Sequence, residues 1–257
     1  TETQMGYCVG PFFDDDKVAE FVGSPDWIPT MRFGVEQKGK TRGIDTAKSN
    51  KVNRATRPSE KMSLHTTDFN MGCIRKIIRK QHKYQFKKRG RRTGRLAAWV
   101  LDERKAYRQI PVSPEQRKYS VVCLMDPVSK KIGYFVMIGH SFGLVSAVFN
   151  YNRRAAIVTE ILRKMLDLPV MNYYDDKYGF DHEEFIEETV EMVRQVHRWL
   201  GIEFDEEKVQ AGDVVKILGV KYDLKEMQID IDDERRAQLI EEIIQILRTG
   251  RLAPGHA

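Results

Sequence analysis

The sequence lacks the features that mark several classes of protein. Its 257 residues include only three cysteines, Cys8, Cys73 and Cys123, which lie far apart and offer neither metal-knuckle spacing nor a disulfide framework. No apolar run approaches the roughly 18 residues of a transmembrane helix. The N-terminus has neither the basic start nor the apolar stretch of a signal peptide. We therefore expect an intracellular protein, cytoplasmic or nuclear, with no membrane partner.

The sequence also lacks internal repeats, low-complexity segments and an initiator methionine. Hydrophobic residues make up 41% of the chain, which is enough for a packed core and excludes wholesale disorder. The length allows one large domain or two closely associated subdomains. The last seven residues, which include Pro254 and Gly255, read as a linker. We therefore expect the chain to be a fragment, a processed product or an incomplete sequence.

Positive charge is concentrated in one segment. The chain carries 43 Lys and Arg residues against 37 Asp and Glu residues, a net charge of +6. Segment 75–95 holds 11 basic residues and no acidic one, which leaves 32 basic and 37 acidic residues elsewhere. Such a segment attracts a polyanion, of which nucleic acid is the commonest. A solvated basic loop or a localisation signal is the alternative.

Hydrophobic periodicity predicts a mixed α+β fold. The first ninety or so residues, punctuated by proline and glycine, are expected to be irregular. From Leu96 the pattern predicts a buried strand, a hairpin, a helix, a second hairpin, a helix, a strand containing Gly219, and a last helix capped by Asp232 and closed by Gly250. These segments are 96–101, 119–138, 146–166, 168–180, 183–200, 214–224 and 232–249. We expect helices packed on one face of a mostly antiparallel sheet.

Three aspartates follow apolar segments that would anchor their backbone. Asp102 ends the strand 96–101, and Asp175 and Asp176 are predicted at the tip of the second hairpin. If the two segments are neighbours, three carboxylates converge, repel one another and titrate upward. A divalent cation relieves such repulsion, and oxygen ligands suit magnesium. The alternative is an ordinary Asp-Asp turn and an ordinary strand end.

The motifs around these aspartates resemble those of retrotransposon-type reverse transcriptases. They are the first palm motif at 101–112 (LDERKAYRQIPV), the Tyr-x-Asp-Asp box at 173–176 (YYDD), the family's Phe-Gly-Leu-x-Ser-Ala-Pro-x-x-Phe stretch at 142–149 (FGLVSAVF), two downstream motifs at 200–210 and 217–219, and a fingers segment at 37–53. All six occur in the family's order and cover about residues 26–224.

The resemblance implies the right-hand polymerase fold, an α+β architecture with an antiparallel-sheet palm, helices on one of its faces, and fingers. The fingers would occupy residues 1–95 with the basic segment 75–95, and the palm would occupy 96–224 with a fingers hairpin inserted at about 113–140. Residues 225–257 would begin a truncated thumb or connection. The rest of the thumb and an RNase H portion would then belong to a longer polyprotein.

The resemblance also implies an RNA-directed DNA polymerase, a nucleotidyltransferase that extends a primer on an RNA or DNA template with dNTPs. Asp102 and Asp175 would be the main ligands of two magnesium ions, for which manganese can substitute. Asp176 would assist, and the backbone carbonyl of Glu103 would complete one coordination sphere. Lys208 would be the general acid for pyrophosphate, with an ordinary surface lysine as the alternative.

Further residues acquire roles from the same resemblance. Lys40 and Arg42 would contact the triphosphate, or else be solvated charges on a fingers loop. Tyr107 would exclude the 2′-hydroxyl of the incoming sugar, or else be ordinary aromatic core. The nucleotide pocket would also include Phe142 and Gly143, and the primer terminus would lie near Leu218 and Gly219.

The sequence departs from the family's pattern in three places, and none of them holds a proposed metal ligand. His140-Ser141 stands where Leu-Pro is common, Val148 replaces a proline, and Thr46 replaces a common acidic residue. These departures put the geometry of the nucleotide pocket in question, so two other hypotheses stay open. One is a catalytically inactive palm relic that binds nucleic acid. The other is an RNA-dependent RNA polymerase, against which Tyr107 argues.

Overall fold

A computed structural model of the chain describes residues 2–37, 39–87, 94–126 and 128–251, without the side chains of Gln37, Lys40, Arg42 and residues 83–87. The strands are β1 (Cys8–Phe12), β2 (Pro29–Gln37), β3 (Lys40–Asp45), β4 (Leu96–Asp102), β5 (Val121–Met125), β6 (Ile132–Met137), β7 (Val170–Tyr173), β8 (Asp176–His182), β9 (Gln210–Gly212), β10 (Val214–Ile217), β11 (Val220–Asp223) and β12 (Gln228–Ile231). The helices are α1 (Asp15–Val22), α2 (Val52–Ala55), α3 (Thr67–Lys87), α4 (Val145–Leu166), α5 (Ile186–Trp199) and α6 (Asp233–Thr249). Over the described ranges, no helix has the length and apolar character needed to span a membrane.

The chain folds into two compact units, each assembled from two separate stretches of sequence. Unit 1 comprises Thr1–Leu64 and Glu103–Ile161, and unit 2 comprises His65–Asp102 and Leu162–Ala257. Both contain helices together with sheets in which antiparallel pairing predominates. The α+β class predicted from the sequence is therefore confirmed, and the assignment of segments to fingers, palm and thumb stays a prediction.

Unit 1 is built around a five-stranded sheet in the order β1-β6-β5-β2-β3. The hairpin predicted over 119–138 forms as β5 and β6. Its turn is stabilised by Asp126, whose carboxylate accepts a 2.7 Å hydrogen bond from the hydroxyl of Ser129. Asp14 caps α1 with its side chain, and the helix buries Val18 against the sheet. Local hydrogen bonds thus stabilise the turn between β5 and β6 and the first turn of α1, the helix that packs against this sheet.

Unit 2 contains a four-stranded antiparallel sheet in the order β7-β8-β4-β9 and a three-stranded antiparallel sheet, β10-β11-β12. β4 is buried along almost its whole length, as its unbroken apolar sequence predicts. Ile74 of α3, Phe180 of β8 and Tyr222 of β11 belong to the hydrophobic core that joins the two sheets, and α5 packs against β4. The buried strand β4 therefore fixes the position of Asp102 at its end.

Two parts of the sequence-based fold are wrong. The first ninety residues are not irregular, because they contain three strands and three helices. Pro29 begins β2 and Pro11 lies in the edge strand β1, two places where a missing backbone N–H is tolerated. Segment 214–224 is not one strand but a hairpin. Leu218 and Gly219 form its two-residue turn, with φ values of 54° and 75°.

Candidate active site

Two strands of unit 2 bring Asp102 and Asp176 side by side. β4 and β8 are antiparallel neighbours, and Asp102 is paired with Asp176 at the end of their ladder. Directly opposite residues of antiparallel strands have Cβ atoms about 5 Å apart and share one face of the sheet. The residues before Asp102 are buried, so the carboxylate, 19% exposed, emerges where the apolar run stops.

Asp175 lies in the two-residue turn that joins β7 to β8. The pair Tyr173–Asp176 closes the hairpin, so the tip is Tyr174–Asp175 and not Asp175–Asp176, as the sequence analysis predicted. Tyr174 has a φ of 48°, a left-handed conformation that costs a residue with a side chain about 1–2 kcal/mol. Its ring meets the Tyr173 ring edge to face at 5.0 Å, which offsets part of this cost. The turn leaves Asp175 exposed, within electrostatic range of Asp102.

A lysine from a third segment of unit 2 reaches Asp102. Lys208 ends a short 3₁₀-helix, and its Nζ lies 2.8 Å from Oδ1 of Asp102 and 3.4 Å from Oδ2 of Asp205. The backbone amide of Asp205 donates a 2.8 Å hydrogen bond to the carbonyl of Asp102, which ties the two segments together. One ammonium group thus faces the carboxylate cluster.

The clustered carboxylates perturb one another's protonation. Burial, reinforced by the charges of Asp175 and Asp102, raises the pKa of Asp176 to about 7. Although Asp175 is exposed on its turn, the protein atoms around its carboxylate displace part of the water there, and this loss, followed by the charge of Asp102, raises the pKa of Asp175. The hydrogen bond to Asp102 raises the pKa of Lys208. The lysine therefore stays charged at neutral pH, while the cluster keeps an excess of negative charge.

The donor set suits a divalent cation in its chemistry. Carboxylate oxygens are the ligands that magnesium prefers, and a cation would relieve the repulsion that raises the pKa values of Asp175 and Asp176. Among the residues that the structure describes, however, no group of three or more Asp, Glu, His or Cys side chains is arranged to hold a metal ion. Lys208 instead occupies an oxygen of Asp102. Metal binding would therefore require Asp102 to exchange the ammonium for the ion.

Replacing Asp176 by asparagine should stabilise the protein at high pH more than at low pH. Aspartate in an unfolded chain titrates near pH 4. Between about pH 4 and 7 the folded protein keeps the Asp176 proton that the unfolded chain has lost, so the free energy of unfolding falls as the pH rises through this window. Without divalent cations, we expect Asp176→Asn to raise the free energy of unfolding by roughly 1–3 kcal/mol at about pH 8 and clearly less at about pH 5.

Urea denaturation at the two pH values measures this difference. Asp167→Asn is a suitable control, because it removes the same charge from an exposed aspartate of unit 2. Equal effects of Asp176→Asn at both pH values would show that the carboxylate cluster does not hold the proton.

Side chains from two other segments of unit 2 close the edge of this hairpin. β7 is an edge strand, and Nε of Arg163 donates to the carbonyl of Val170 at 2.6 Å. A second Arg163 nitrogen lies 2.9 Å from Nε2 of His65. On the other side of the ring, the backbone amide of Asn172 donates to Nδ1 of His65 at 3.1 Å, and the carbonyl of Asn172 lies 2.9 Å from the same nitrogen. The sequence analysis assigned no role to His65 or Arg163.

A buried lysine belongs to the same arrangement. Lys177 follows Asp176 and has no exposed surface. Its ammonium donates to Oδ1 of Asn172, the residue opposite it in the ladder. A buried charge is tolerated only where polar partners replace water. Asn172 therefore serves both the edge bond to His65 and the cation beside Asp176.

Removing the His65 side chain should loosen the hairpin edge. His65→Ala deletes the ring that contacts the Asn172 backbone and Arg163, and the loss of such hydrogen-bond partners costs about 1–3 kcal/mol. We expect the free energy of unfolding to fall by that amount and amide hydrogen exchange in β7 to accelerate. His65→Gln, which keeps a donor and an acceptor, should retain most of the protection. Unchanged exchange in β7 of His65→Ala would show that the edge does not depend on this ring.

In unit 1, Tyr107 stands between two other aromatic rings. Its centroid lies 5.2 Å from that of Phe142 and 5.1 Å from that of Tyr151, both edge to face. The guanidinium of Arg108 lies over the Phe142 ring, and that of Arg154 lies over the Tyr151 ring, each at 5.0 Å. Tyr107 is only partly buried. Its ring is therefore held in place while part of its surface faces solvent.

Gly143 allows two segments of unit 1 to approach closely. Its φ is +94°, and a Cβ there would lie 2.3 Å from the carbonyl oxygen of Asp45, so a side chain is excluded. Asn53 braces the same loop. Its amide donates to the Gly143 carbonyl at 2.7 Å, and its Oδ1 accepts from the amide of Val145, the first residue of α4, at 2.8 Å. One asparagine thus joins segment 37–53 to the Phe-Gly segment.

Four charges form a network next to this loop. Asp45, whose side chain is fully buried, accepts from Nε and Nη2 of Arg32 at 2.5 and 2.9 Å and lies 3.8 Å from Arg108. Glu2 binds both arginines at 2.8 Å. Although burial acts in the opposite direction, the two arginines hold the pKa of Glu2 below its usual value. Two positive and two negative groups therefore balance one another.

The other predicted site residues are distributed over both units. Lys40 and Arg42 lie on β3 of unit 1, but their side chains are outside the described part of the chain. Leu218 and Gly219 form the β10–β11 turn of unit 2. Their contacts with triphosphate and primer terminus stay predictions.

Glu103, in unit 1, is a buried residue of the turn that follows β4. Its carboxylate binds the guanidinium of Arg154, which places a counterion on the buried charge. Its carbonyl accepts a 3.2 Å hydrogen bond from the amide of Ala106. The metal contact that the resemblance implies for this carbonyl stays a prediction.

The positions that depart from the family's pattern have their own contacts. His140 lines a cavity of about 720 Å³ in unit 1, where its Nε2 accepts from Asn150 at 3.0 Å. Burial lowers the pKa of His140. The Thr46 hydroxyl donates to the carbonyl of Met31 at 3.2 Å. Val148 supplies an amide to the first turn of α4 that a proline would lack. Thr46, His140 and Val148 thus keep local hydrogen bonds, but the buried hydroxyl of Ser141 has no hydrogen-bond partner among the described residues.

Comparison with known proteins identifies the family. Residues 35–222 match the family model for reverse transcriptase (RNA-dependent DNA polymerase), which is most of the chain. The chain belongs to the reverse transcriptase family. Among solved structures, it is similar to the foamy viral protease–reverse transcriptase in complex with double-stranded DNA, with a TM-score of 0.64 and 12% sequence identity. The match covers 92% of this chain and 34% of the foamy viral chain, so the chain spans about a third of that relative.

Membership of the reverse transcriptase family confirms the resemblance drawn from six motifs. It also shows which residues the motif comparison missed. Counted along the family's Phe-Gly-Leu stretch, the final aromatic position falls on Tyr151, which packs on Tyr107. That signal was present in the sequence. The roles of His65 and Arg163 had no such signal, because neither residue lies in any of the six motifs.

Proposed function

We propose that the chain is the catalytic core of an RNA-directed DNA polymerase from a retrotransposon-type element. It would add deoxynucleotides to the 3′-hydroxyl of a primer on an RNA or DNA template. The observation that carries the proposal is the strand register, which sets Asp102 opposite Asp176 beside the turn that holds Asp175. The double-stranded DNA in the complex of the foamy viral relative supports a nucleic-acid duplex as partner.

The carboxylates of unit 2 would hold two magnesium ions. Asp102 and Asp175 would be the main ligands, with assistance from Asp176 and the carbonyl of Glu103. When bound, the ions would supply activation of the primer hydroxyl and stabilisation of the charge on the leaving pyrophosphate. The buried strand β4 and the closed hairpin keep the carboxylates in register, so that they need no rearrangement of the backbone to act.

Lys208 would act as the proton donor of the same site. Its ammonium is held by Asp102 and Asp205, and it would be released from Asp102 when that carboxylate takes a cation. The Asp205 contact would keep the lysine within the cluster. A charged ammonium can then give its proton to the departing pyrophosphate.

Primer extension on an RNA template with dNTPs and magnesium tests the proposal. We expect extension that follows the template sequence, that EDTA stops and that manganese partly restores. Asp175→Asn is the negative control. Templated extension that persists equally in Asp175→Asn would show that the activity does not come from this site.

A second candidate is a palm that binds nucleic acid without turnover. One observation favours it, namely that Lys208 forms an ion pair with Oδ1 of Asp102, an oxygen that a metal ion would otherwise bind. This candidate predicts that wild type and Asp175→Asn bind primer–template alike and that neither extends it. Measuring binding and extension on the same samples separates the two candidates.

Replacing Tyr107 by valine should admit ribonucleotides. If Tyr107 lies beneath the incoming sugar, a smaller side chain removes the clash with a 2′-hydroxyl, and a lost steric contact of this size changes discrimination by about 10–100-fold. We expect the ratio of kcat/KM for dNTP over rNTP to fall by that factor, while Tyr107→Phe preserves it. If Tyr107→Val loses activity but keeps the ratio of kcat/KM for dNTP over rNTP, the Tyr107 ring contributes to core packing and does not select the sugar. Efficient rNTP use by the unmutated chain would instead favour an RNA polymerase.

A further inference from the structure

Helix α3 of unit 2 presents a basic face that no motif of the family explains. The helix has 21 residues, which corresponds to about 31 Å. Ile74 is buried in the core of unit 2, and Ile77 and Ile78 pack against the same core. The opposite face carries exposed cations. These are Arg75, Lys76, Arg79 and Lys80, called here the α3 basic face.

The α3 basic face has no acidic partner in the described part of the chain. No ion pair joins any of its four side chains to a carboxylate there, and the one acidic residue of the helix, Asp68, lies in its first turn. Several other cations of unit 2, in contrast, pair with carboxylates, as Arg194–Glu206 and Arg236–Asp230 show. The positive charge of α3 is therefore left for a partner outside the chain.

The spacing of these cations suits a phosphate backbone. Arg75 and Arg79, and likewise Lys76 and Lys80, are four residues apart and lie on one side of the helix. The four residues span about 7.5 Å of helix axis, a length over which a nucleic-acid duplex carries about four phosphate charges. Guanidinium groups bind phosphate through two parallel hydrogen bonds, and ammonium groups add point charges. A face of this composition binds phosphate without reading bases.

We propose that the α3 basic face is a second nucleic-acid-binding surface, distinct from the carboxylate cluster, which holds the phosphate backbone of a duplex independently of its sequence. The sequence continues the same charge, because segment 75–95 contains no acidic residue. An acidic protein segment is the competing partner. Nucleic acid is favoured because the chain belongs to a family of polymerases that act on it.

Salt-dependent binding to a short primer–template duplex tests this surface. Each neutralised phosphate contact makes the slope of log K against log salt more negative by about 0.9 for duplex DNA. We expect Arg75→Gln/Lys76→Gln/Arg79→Gln/Lys80→Gln to bind at least about 10-fold more weakly at low salt and to have a slope smaller in magnitude by about 2–4. Glutamine is a good helix former, and circular dichroism and urea denaturation verify that α3 remains folded.

Two pairs of variants control for charge and for structure. Arg75→Gln/Arg79→Gln should reduce the slope, whereas Lys17→Gln/Lys225→Gln, which removes two exposed cations elsewhere, should not. Arg75→Lys/Arg79→Lys should keep the slope, because it keeps the charge. An unchanged slope in the quadruple variant, or an equal loss in the Lys17/Lys225 control, would overturn the proposal. A variant that binds the duplex normally but loses binding to polyglutamate would also overturn it, in favour of an acidic protein partner.

The binding assay does not depend on the proposed polymerase activity. A chain that binds duplex through the α3 basic face but extends no primer would leave this surface standing and remove the proposed function. If the chain extends primers and the quadruple variant keeps the salt slope of the wild type, the proposed function stands and the α3 basic face is not a binding surface.

Discussion

Asp175→Asn should abolish template-directed nucleotide incorporation while leaving the fold and nucleic-acid binding intact. Asp175 lies in an exposed turn, where asparagine is well tolerated, so the β4–β8 ladder is not disturbed. The amide has the same size as the carboxylate but no charge, and it cannot neutralise a divalent cation. We expect the single-turnover rate to fall by at least about 10³-fold, which corresponds to roughly 4 kcal/mol of lost transition-state stabilisation.

Rapid-quench incorporation of one dNTP into a preformed primer–template complex measures this loss. Asp167→Asn removes the same charge from an exposed aspartate of unit 2 and should leave the rate within about 2-fold. Binding of the primer–template in EDTA should be equal for Asp175→Asn and wild type. A rate that falls equally in both variants would indicate a general effect of net charge and not a role of this turn.

The convergence of the carboxylates was largely predictable from sequence, and their electrostatic environment was not. Each aspartate follows an apolar segment, and such segments form neighbouring buried strands. The lysine that binds Asp102 is 106 residues away, and the histidine that caps Asn172 is 107 residues away. Contacts between such distant residues depend on which elements pack together, and periodicity along the chain does not encode that. Only the family resemblance singled out Lys208 beforehand.

The fold shows the same division between local and long-range information. Helix α6 begins after Asp232 and ends before Gly250, at the positions that its start and stop signals predict. The predicted side-chain cap does not form, because the Asp232 carboxylate binds Lys216 instead. In β2, by contrast, Met31, Phe33 and Val35 alternate with polar residues and glycine, a period-two pattern typical of a strand. Proline and glycine nearby led to an interpretation as irregular chain. The segment forms a strand because it pairs with β3 and β5 in the sheet of unit 1.

Asp45→Asn should produce the largest loss of stability in unit 1. The fully buried carboxylate of Asp45 is the principal counterion of Arg32 and lies within ion-pair distance of Arg108, whose side chain is 1% exposed. The neutral amide leaves two guanidinium groups with Glu2 as their one counterion within this network. Breaking a buried ion pair by removing one partner costs about 3–5 kcal/mol, a large share of the roughly 5–15 kcal/mol that stabilise a domain.

Urea denaturation of a double-mutant cycle tests whether the loss comes from unbalanced charge. Arg32→Gln added to Asp45→Asn removes the excess positive charge, so the double variant should lose less than the sum of the single losses. The exposed pair Arg153–Glu60 of the same unit is a matched control, and Glu60→Gln should cost less than about 1 kcal/mol. Additive losses in the cycle would mean that Asp45 and Arg32 are not energetically coupled, and unbalanced charge would then not explain the loss.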